Sequence, residues 1–187
     1  MMRNNIQRDR TPYKHYKIII GGDGAVGKST FSKQLSGTFQ EDKQQTMTYG
    51  IDFHMVDIIN GSLTYGQLWD LGGQEQFRVF QDKFFEAVHI VILMYSVEWI
   101  HSFLNLNSWL QYIKKGTPIR KYLIANKIDS LHRVVTTEEG LEFAVAHDMI
   151  YFEVSALRGT GILNIKRDIA NTIMNFQKKL NEEEKIQ

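Results

Sequence analysis

Residues 18–30 read Ile-Ile-Ile-Gly-Gly-Asp-Gly-Ala-Val-Gly-Lys-Ser-Thr. The three isoleucines predict a strand, and a turn with the spacing G-x-x-x-x-G-K-[ST] follows them, from Gly22 to Ser29. Glycines let such a turn bring N–H groups close to a polyphosphate, while a helix beginning near Lys28 directs its positive end at the same anion. We predict a phosphate-binding loop in which Lys28 reaches the β and γ phosphates and the Ser29 hydroxyl binds Mg²⁺. The predicted contact residues are Gly22, Asp23, Gly24, Ala25, Val26, Gly27, Lys28, Ser29 and Thr30.

The composition is that of a globular protein with one domain: 187 residues, 43% hydrophobic and 23% charged, with a formal net charge of +1. A dedicated nucleic-acid binder would carry more basic charge, so we expect no nucleic-acid partner. The absence of cysteine excludes disulfides, thiolate metal sites, cysteine nucleophiles, prenylation and palmitoylation. We expect a cytoplasmic monomer without a direct lipid anchor, which meets membranes only through partners or a segment not present in this sequence.

Predicted strands and helices alternate along the chain between two polar ends. We expect a flexible basic arm, a central domain and a charged tail, with bounds at 1–15, 16–180 and 181–187. The alternation favours an α/β fold with about six mostly parallel strands, one antiparallel edge strand, and helices on both faces of the sheet. In such sheets ligands bind at the carboxyl ends of the strands, where the motifs of this chain are found.

Local patterns predict the individual elements. Val88–Tyr95 is a nearly continuous apolar run, as expected of a parallel strand buried on both faces. Ile51, Phe53 and Met55 alternate with polar residues, and a following Asn-Gly pair predicts a hairpin. Further predicted elements include strands at Tyr16–Ile20, Tyr122–Ala125 and Ile150–Val154, helices at Lys28–Ser36 and Ser102–Lys115, and a helix that Thr136 and Glu139 open as a capping box.

A phosphate loop alone does not distinguish ATPases, kinases and GTPases, so further motifs are needed. A second strand end carries one, of the form D-x-x-G-Q. Asp70 in this motif can hold Mg²⁺, directly or through water. The Gly73 N–H group can meet a γ-phosphate, and Gln74 can orient the attacking water. The motif therefore predicts hydrolysis of the bound nucleotide.

A third strand end reads Asn126-Lys127-Ile128-Asp129, of the form N-K-x-D. A carboxylate can accept two hydrogen bonds from N1–H and N2–H₂ of guanine, which adenine does not offer, so Asp129 would select GTP over ATP. A polar turn after a strand is the alternative interpretation of this tetrapeptide alone. Further along, Ser155-Ala156 can offer a backbone N–H group to the guanine O6.

These four segments and a fifth, around Thr48, together resemble those of Ras-superfamily small GTPases, most closely Rab-like ones, in family order and over about residues 16–180. Thr48–Phe53 resembles the Rab effector loop and Trp69–Phe77 its second switch, although W-D-L-G-G-Q leans toward Arf-like proteins. The resemblance implies a P-loop NTPase G domain that binds GTP or GDP with Mg²⁺. It also implies effector proteins, an exchange factor and a GTPase-activating protein as partners.

The resemblance extends to single residues. Thr48 would bind Mg²⁺ through its hydroxyl and the γ-phosphate through its N–H group, with Thr46 as the alternative because the loop is slightly longer than usual. Phe39 would pack against the guanine edge, and Lys127 would contact the nucleotide. Leu157 stands where relatives have lysine, which alters an apolar contact to the base.

Phe53, Trp69 and Phe84 match the aromatic triad that Rab-like proteins present to effectors. A core position is the alternative for these three residues, since aromatic side chains flanking a hairpin usually bury themselves.

The leading hypothesis is a GTP-hydrolysing switch with catalytic residues Lys28, Thr48, Gly73 and Gln74. Slow hydrolysis is expected, because no arginine is positioned to act in cis. The alternative is a module that holds GDP or GTP as a structural ligand and hardly turns it over. An ATP-dependent kinase or ATPase is disfavoured by Asn126 and Asp129.

Overall fold

The computed structural model describes residues 14–41, 48, 50–58, 64–72, 81–113 and 120–183. Within these ranges the strands are β1 (Lys14–Gly21), β2 (Ile51–Asp57), β3 (Thr64–Leu71), β4 (Ile90–Ser96), β5 (Arg120–Asn126) and β6 (Ile150–Val154). The helices are α1 (Lys28–Ser36), α2 (Gln81–Phe84), α3 (Ile100–Leu104), α4 (Leu106–Leu110), α5 (Thr137–Ala146) and α6 (Ile162–Glu183).

The described strands form one sheet in the order β2-β3-β1-β4-β5-β6. Strand β1 pairs in parallel with β3 and β4, and β5 pairs in parallel with β4 and β6. Only β2 is antiparallel among the described strands, and it lies at an edge beside β3. The predicted α/β class is confirmed, and the loop after β1 emerges in the middle of the sheet's carboxyl edge, where ligands bind in such folds.

Successive residues of β1 face opposite sides of the sheet, and each side has its own core. Ile18 and Ile20 pack in one cluster with residues of α1 and α6, such as Phe31 and Ile169. Ile19 packs in the other cluster with residues of α4 and α5. Because helices cover both faces, strands such as β4 are buried along their whole length.

Most predicted elements are confirmed, including α1 with its predicted bounds and the capping box at Thr136 and Glu139. The predicted helix Ser102–Lys115 is wrong in its continuity, because α3 and α4 are separated at Asn105. The Ser108 N–H group and hydroxyl both donate to the Asn105 carbonyl, at 3.0 and 2.7 Å, and this tightens the chain there.

Three boundaries differ from the prediction. Strand β1 begins at Lys14, inside the predicted arm, because β3 supplies Thr64 as a partner for Lys14. Helix α6 continues to Glu183, into the predicted tail. Strand β4 begins at Ile90, two residues later than expected. The predicted Asn-Gly turn between β2 and β3 lies outside the described residues.

Among the described helices, none combines the length and the apolar character needed to cross a membrane.

Candidate functional site

The loop after β1 has a backbone that only glycine fits at two positions. Gly22 has φ 141°, and a Cβ there would lie 2.3 Å from the Met94 carbonyl oxygen of β4. Gly27 has φ 97°, and a Cβ there would lie 2.3 Å from Nδ2 of Asn126. These glycines therefore let the loop pass close to β4 and β5.

Two other loop positions are less constrained by their surroundings. Ala25 has φ 60°, a left-handed conformation that costs a residue with a side chain about 1–2 kcal/mol. A Cβ on Gly24 would meet nothing within 4 Å among the described residues, so this side of the loop is open.

Lys28, the first residue of α1, is buried and holds its ammonium group inside the loop. Its Nζ donates to the carbonyl oxygens of Gly22 at 2.8 Å and Asp23 at 2.7 Å. Burial lowers the pKa of Lys28 to about 8, while the negative charges of Asp70 and Asp23 oppose the shift. The group is therefore mainly protonated at neutral pH, beside a helix N-terminus whose first turn has no acidic residue.

Three of the predicted Mg²⁺ ligands are described, and they supply oxygen atoms of the kind that Mg²⁺ prefers. Ser29 Oγ and Thr48 Oγ1 lie 2.7 Å apart. The Asp70 carboxylate at the end of β3 is fully buried, and neither of its oxygens has a hydrogen-bond partner among the described residues. Burial raises the pKa of Asp70, and the nearby Ser29 hydroxyl and Lys28 ammonium oppose the rise. An orphaned buried carboxylate beside a hydroxyl fits a cation site; the alternative Thr46 lies outside the described residues.

The second glycine-rich segment is described only as far as Gly72. Gly72 donates its N–H group to the Gly50 carbonyl at 2.7 Å, and a Cβ on Gly72 would lie 3.0 Å from the Thr48 carbonyl oxygen. The segment after β3 thus meets the segment before β2 directly. The predicted catalytic residues Gly73 and Gln74 lie outside the described residues.

A cavity of about 330 Å³ opens beside the loop and α1. This volume is at the lower end of the range for small-molecule sites, about 300–1,000 Å³. Asp129 presents an exposed carboxylate at the cavity. The lining residues are Gly27, Thr30, Glu98, Asn126, Lys127, Asp129, Ser130, Ala156 and Leu157.

Asn126, the last residue of β5, ties the walls of this cavity together. Its Nδ2 donates to the Val26 carbonyl at 2.8 Å, and its Oδ1 accepts from the Ala156 N–H group at 2.9 Å. All three residues are buried. One amide therefore joins the phosphate loop, the N-K-x-D segment and the segment after β6, so this tetrapeptide is more than a polar turn.

The segment after β6 is held by backbone N–H groups. The Ala156 N–H group donates to Asn126 and the Ser155 N–H group donates to the Thr160 carbonyl at 3.1 Å, so both are already engaged. Leu157 lines the cavity and is half-exposed. Phe39 is half-buried and is not among the described residues that line the cavity.

Glu98, two residues beyond β4, was missed by the sequence analysis. Its Oε1 lies 2.6 Å from Lys127 Nζ, and both residues line the cavity. The hydrogen bond from Lys127 holds the pKa of Glu98 below its ordinary value. The available signal was its place at the carboxyl end of a buried strand, where this fold collects ligand-binding residues.

The Ras family model matches residues 17–175 of this chain. The chain belongs to the Ras family. It is 36% identical over 157 residues to the Ras-related protein Rab-18 of Caenorhabditis elegans, spanning 81% of this chain and 76% of that protein. It is 36% identical over 151 residues to Rab-18 of Lymnaea stagnalis, spanning 78% of this chain and 74% of that protein. It is also 33% identical over 174 residues to the Ras and EF-hand domain-containing protein homolog of Mus musculus, but this match spans only 27% of that protein. These likenesses identify a Rab-like small GTPase.

The aromatic triad of this Ras-family protein forms one line of contacts. The rings of Phe53 and Trp69 meet edge to face at 4.8 Å between centroids, and Phe84 lies 6.0 Å from Trp69. Trp69 and Phe84 are partly buried against the core, and Lys17 Nζ lies 4.2 Å from the Trp69 ring centroid. Phe53 is 54% exposed, so the alternative of a core position is wrong for this residue.

Proposed function

We propose that this Ras-family protein is a Mg²⁺-dependent molecular switch that binds GTP or GDP and hydrolyses GTP slowly. The observation that supports the proposal is the double hydrogen bond of Asn126, which joins the phosphate loop to the segment that carries Asp129. A base and its phosphates can then bind side by side, with the carboxylate of Asp129 accepting from guanine N1–H and N2–H₂.

In this proposal the phosphate loop and Lys28 bind the polyphosphate. The loop N–H groups and the N-terminus of α1 favour the anion, and the Lys28 ammonium reaches the β and γ phosphates. Ser29, Thr48 and Asp70 would hold Mg²⁺, which neutralises charge on the phosphate oxygens when it is bound. Gly73 would donate its N–H group to the γ-phosphate.

Gln74 is the proposed residue that orients the attacking water. The expected intrinsic rate is slow, and an arginine from a GTPase-activating protein would raise it by about 10³–10⁵. Single-turnover hydrolysis of bound GTP by the wild type and by Gln74→Leu tests this role. Equal rates would remove Gln74 from the mechanism.

Base selection is tested by competition of GTP and ATP for a bound fluorescent GDP. The wild type should release the probe to GTP and not to ATP, while Asp129→Asn should bind GDP more than about 100-fold more weakly, because two charge-assisted hydrogen bonds are lost. Asp148→Asn is the matched control, since the Asp148 carboxylate is fully exposed and asparagine tolerates its φ of 54°. Equal competition by ATP would refute the proposal.

The proposal also includes the partner proteins and the cellular process. Effectors, an exchange factor and an activating protein would read and drive the nucleotide state of a cytoplasmic monomer, in Rab-like membrane traffic or related signalling. The γ-phosphate would order Thr48 and Gly73, and the partners would recognise this ordered conformation. Identical conformations of the Thr48 segment with GDP and with a non-hydrolysable GTP analogue would favour the nucleotide-locked module instead.

A further inference from the structure

Asp23 lies within the phosphate loop, yet its side chain is bonded to helices that the proposed mechanism does not use. Its carboxylate is buried, at 5% exposure for the residue. Oδ2 accepts from Asn105 Nδ2 at 2.6 Å, and Oδ1 accepts from Trp109 Nε1 at 3.2 Å. The donors come from the α3–α4 junction and from α4, more than 80 residues along the chain.

The Trp109 ring also packs against the end of β1. A Cβ on Gly21 would lie 2.8 Å from Cε3 of Trp109, so the six-membered ring of the indole fills the space beside the end of β1. Trp109 is 1% exposed and stands in the core cluster with Leu106. Packing therefore fixes the position of the indole N–H group, which is the donor to Asp23.

The backbone of Asp23 continues this connection to the phosphate-binding lysine. Its carbonyl accepts from Lys28 Nζ at 2.7 Å, while its carboxylate is held by Asn105 and Trp109. A carboxylate beside a polyphosphate repels it, and hydrogen-bond donors to the carboxylate offset part of that charge. Asn105 and Trp109 each donate to a different oxygen of Asp23, which fixes the orientation of this carboxylate.

We propose that Asn105 and Trp109 are positioning residues for the nucleotide site, which hold Asp23 and thereby orient the first turn of the phosphate loop and Lys28. This inference rests on the proposed function. It also accounts for the position of Asn105 where α3 and α4 separate, because a side chain at this junction can reach the phosphate loop. Loss of the contact should speed the release of GDP.

The variant Asn105→Asp tests the contact without opening the core, because residue 105 is exposed. It opposes two carboxylates in a contact that now measures 2.6 Å, and we expect GDP to dissociate about tenfold faster. In the Asp23→Asn background the same change should have less than about a twofold effect, because the amide introduced at position 23 can donate to the carboxylate introduced at position 105 and accept from Trp109. Asn107→Asp adds the same charge at an exposed position of α4 and is the matched control, expected within about twofold of wild type.

The measurement is displacement of fluorescent GDP by excess GDP in Mg²⁺ buffer, with the melting temperature recorded for every variant. A faster release that the Asp23→Asn background suppresses supports the inference. A lowered melting temperature with unchanged GDP release, or equal effects in both backgrounds, would overturn it. If the wild type binds no GDP, the proposed function fails; if it binds GDP and Asn105→Asp behaves as Asn107→Asp does, only the positioning role fails.

Discussion

Replacement of Asn126 by alanine removes the amide that joins three segments of the nucleotide site. The Val26 carbonyl and the Ala156 N–H group, both buried, then lose their partner. An unsatisfied buried group costs about 1–3 kcal/mol, which gives about 2–6 kcal/mol for the two. Because Asn126 lines the cavity, water can reach the freed groups, and we expect a loss of about 3 kcal/mol in the free energy of unfolding.

Urea denaturation at a fixed GDP concentration measures this loss. With a slope of about 2 kcal/mol per molar urea, the midpoint should fall by about 1.5 M at unchanged slope. The GDP affinity of each variant is measured separately, and its contribution, RT ln(1 + [GDP]/Kd), is subtracted. Asn171→Ala, an exposed change of the same type in α6, is the control and should leave the midpoint nearly unchanged.

A loss of less than about 0.5 kcal/mol for Asn126→Ala after this subtraction would contradict the bridging role of Asn126, since surface substitutions lie within that range. The expected loss of about 3 kcal/mol with unchanged GDP affinity would instead contradict the role of Asn126 in nucleotide binding. It would show that the bridge supports the fold but does not hold the cavity in its binding shape.

Three further predictions concern single positions. Gly22→Ala should cost more than about 3 kcal/mol of stability in denaturation, because its Cβ would lie 2.3 Å from a β4 carbonyl at φ 141°. Gly24→Ala should cost under about 1 kcal/mol, because its Cβ would meet none of the described residues within 4 Å. Burial acts to raise the pKa of Glu153, but hydrogen bonds and the Arg133 guanidinium outweigh it and hold the pKa below the ordinary 4.5. Glu153→Gln should therefore lower the urea midpoint at pH 7, and its difference from wild type should shrink as the pH falls below about 4.5 and the native carboxylate is protonated. Phe53→Ala should change the melting temperature little, because the ring is 54% exposed, so any loss of effector binding would report contact and not unfolding.

The sheet and its motifs could be predicted because local patterns determine them. The apolar run that became β4 is buried at every residue, and the strand ends carry the motifs where the fold collects ligands. The separation of α3 and α4 could not be predicted, since Phe103, Leu106 and Leu110 keep helical spacing through Asn105. It depends on Ser108 donating twice to one carbonyl, which periodicity does not record.

The contacts that hold the candidate site depend on tertiary structure. The motif predicts Asn126 as a site residue, but its bonds to Val26 and Ala156 join positions 100 and 30 residues away. The exposure of Phe53 also depends on tertiary structure. The alternation in β2 allowed burial of its face, but β2 is an edge strand, and its buried residue Val56 packs on the opposite face in the cluster with α1.

The proposed switch needs one rigid half and one half that a phosphate can reorganise, and the described contacts divide in that way. The base side rests on Asn126, with two buried hydrogen bonds to neighbouring segments. On the phosphate side, the contacts between described residues include the Ser29–Thr48 hydroxyl pair at 2.7 Å and the Gly72 N–H group, which donates to the Gly50 carbonyl. A hydrogen bond contributes about 1 kcal/mol net, and each 1.4 kcal/mol changes a population about tenfold. A γ-phosphate that gains two or three charge-assisted bonds in one conformation can therefore shift the Thr48 segment, while the base side stays in place.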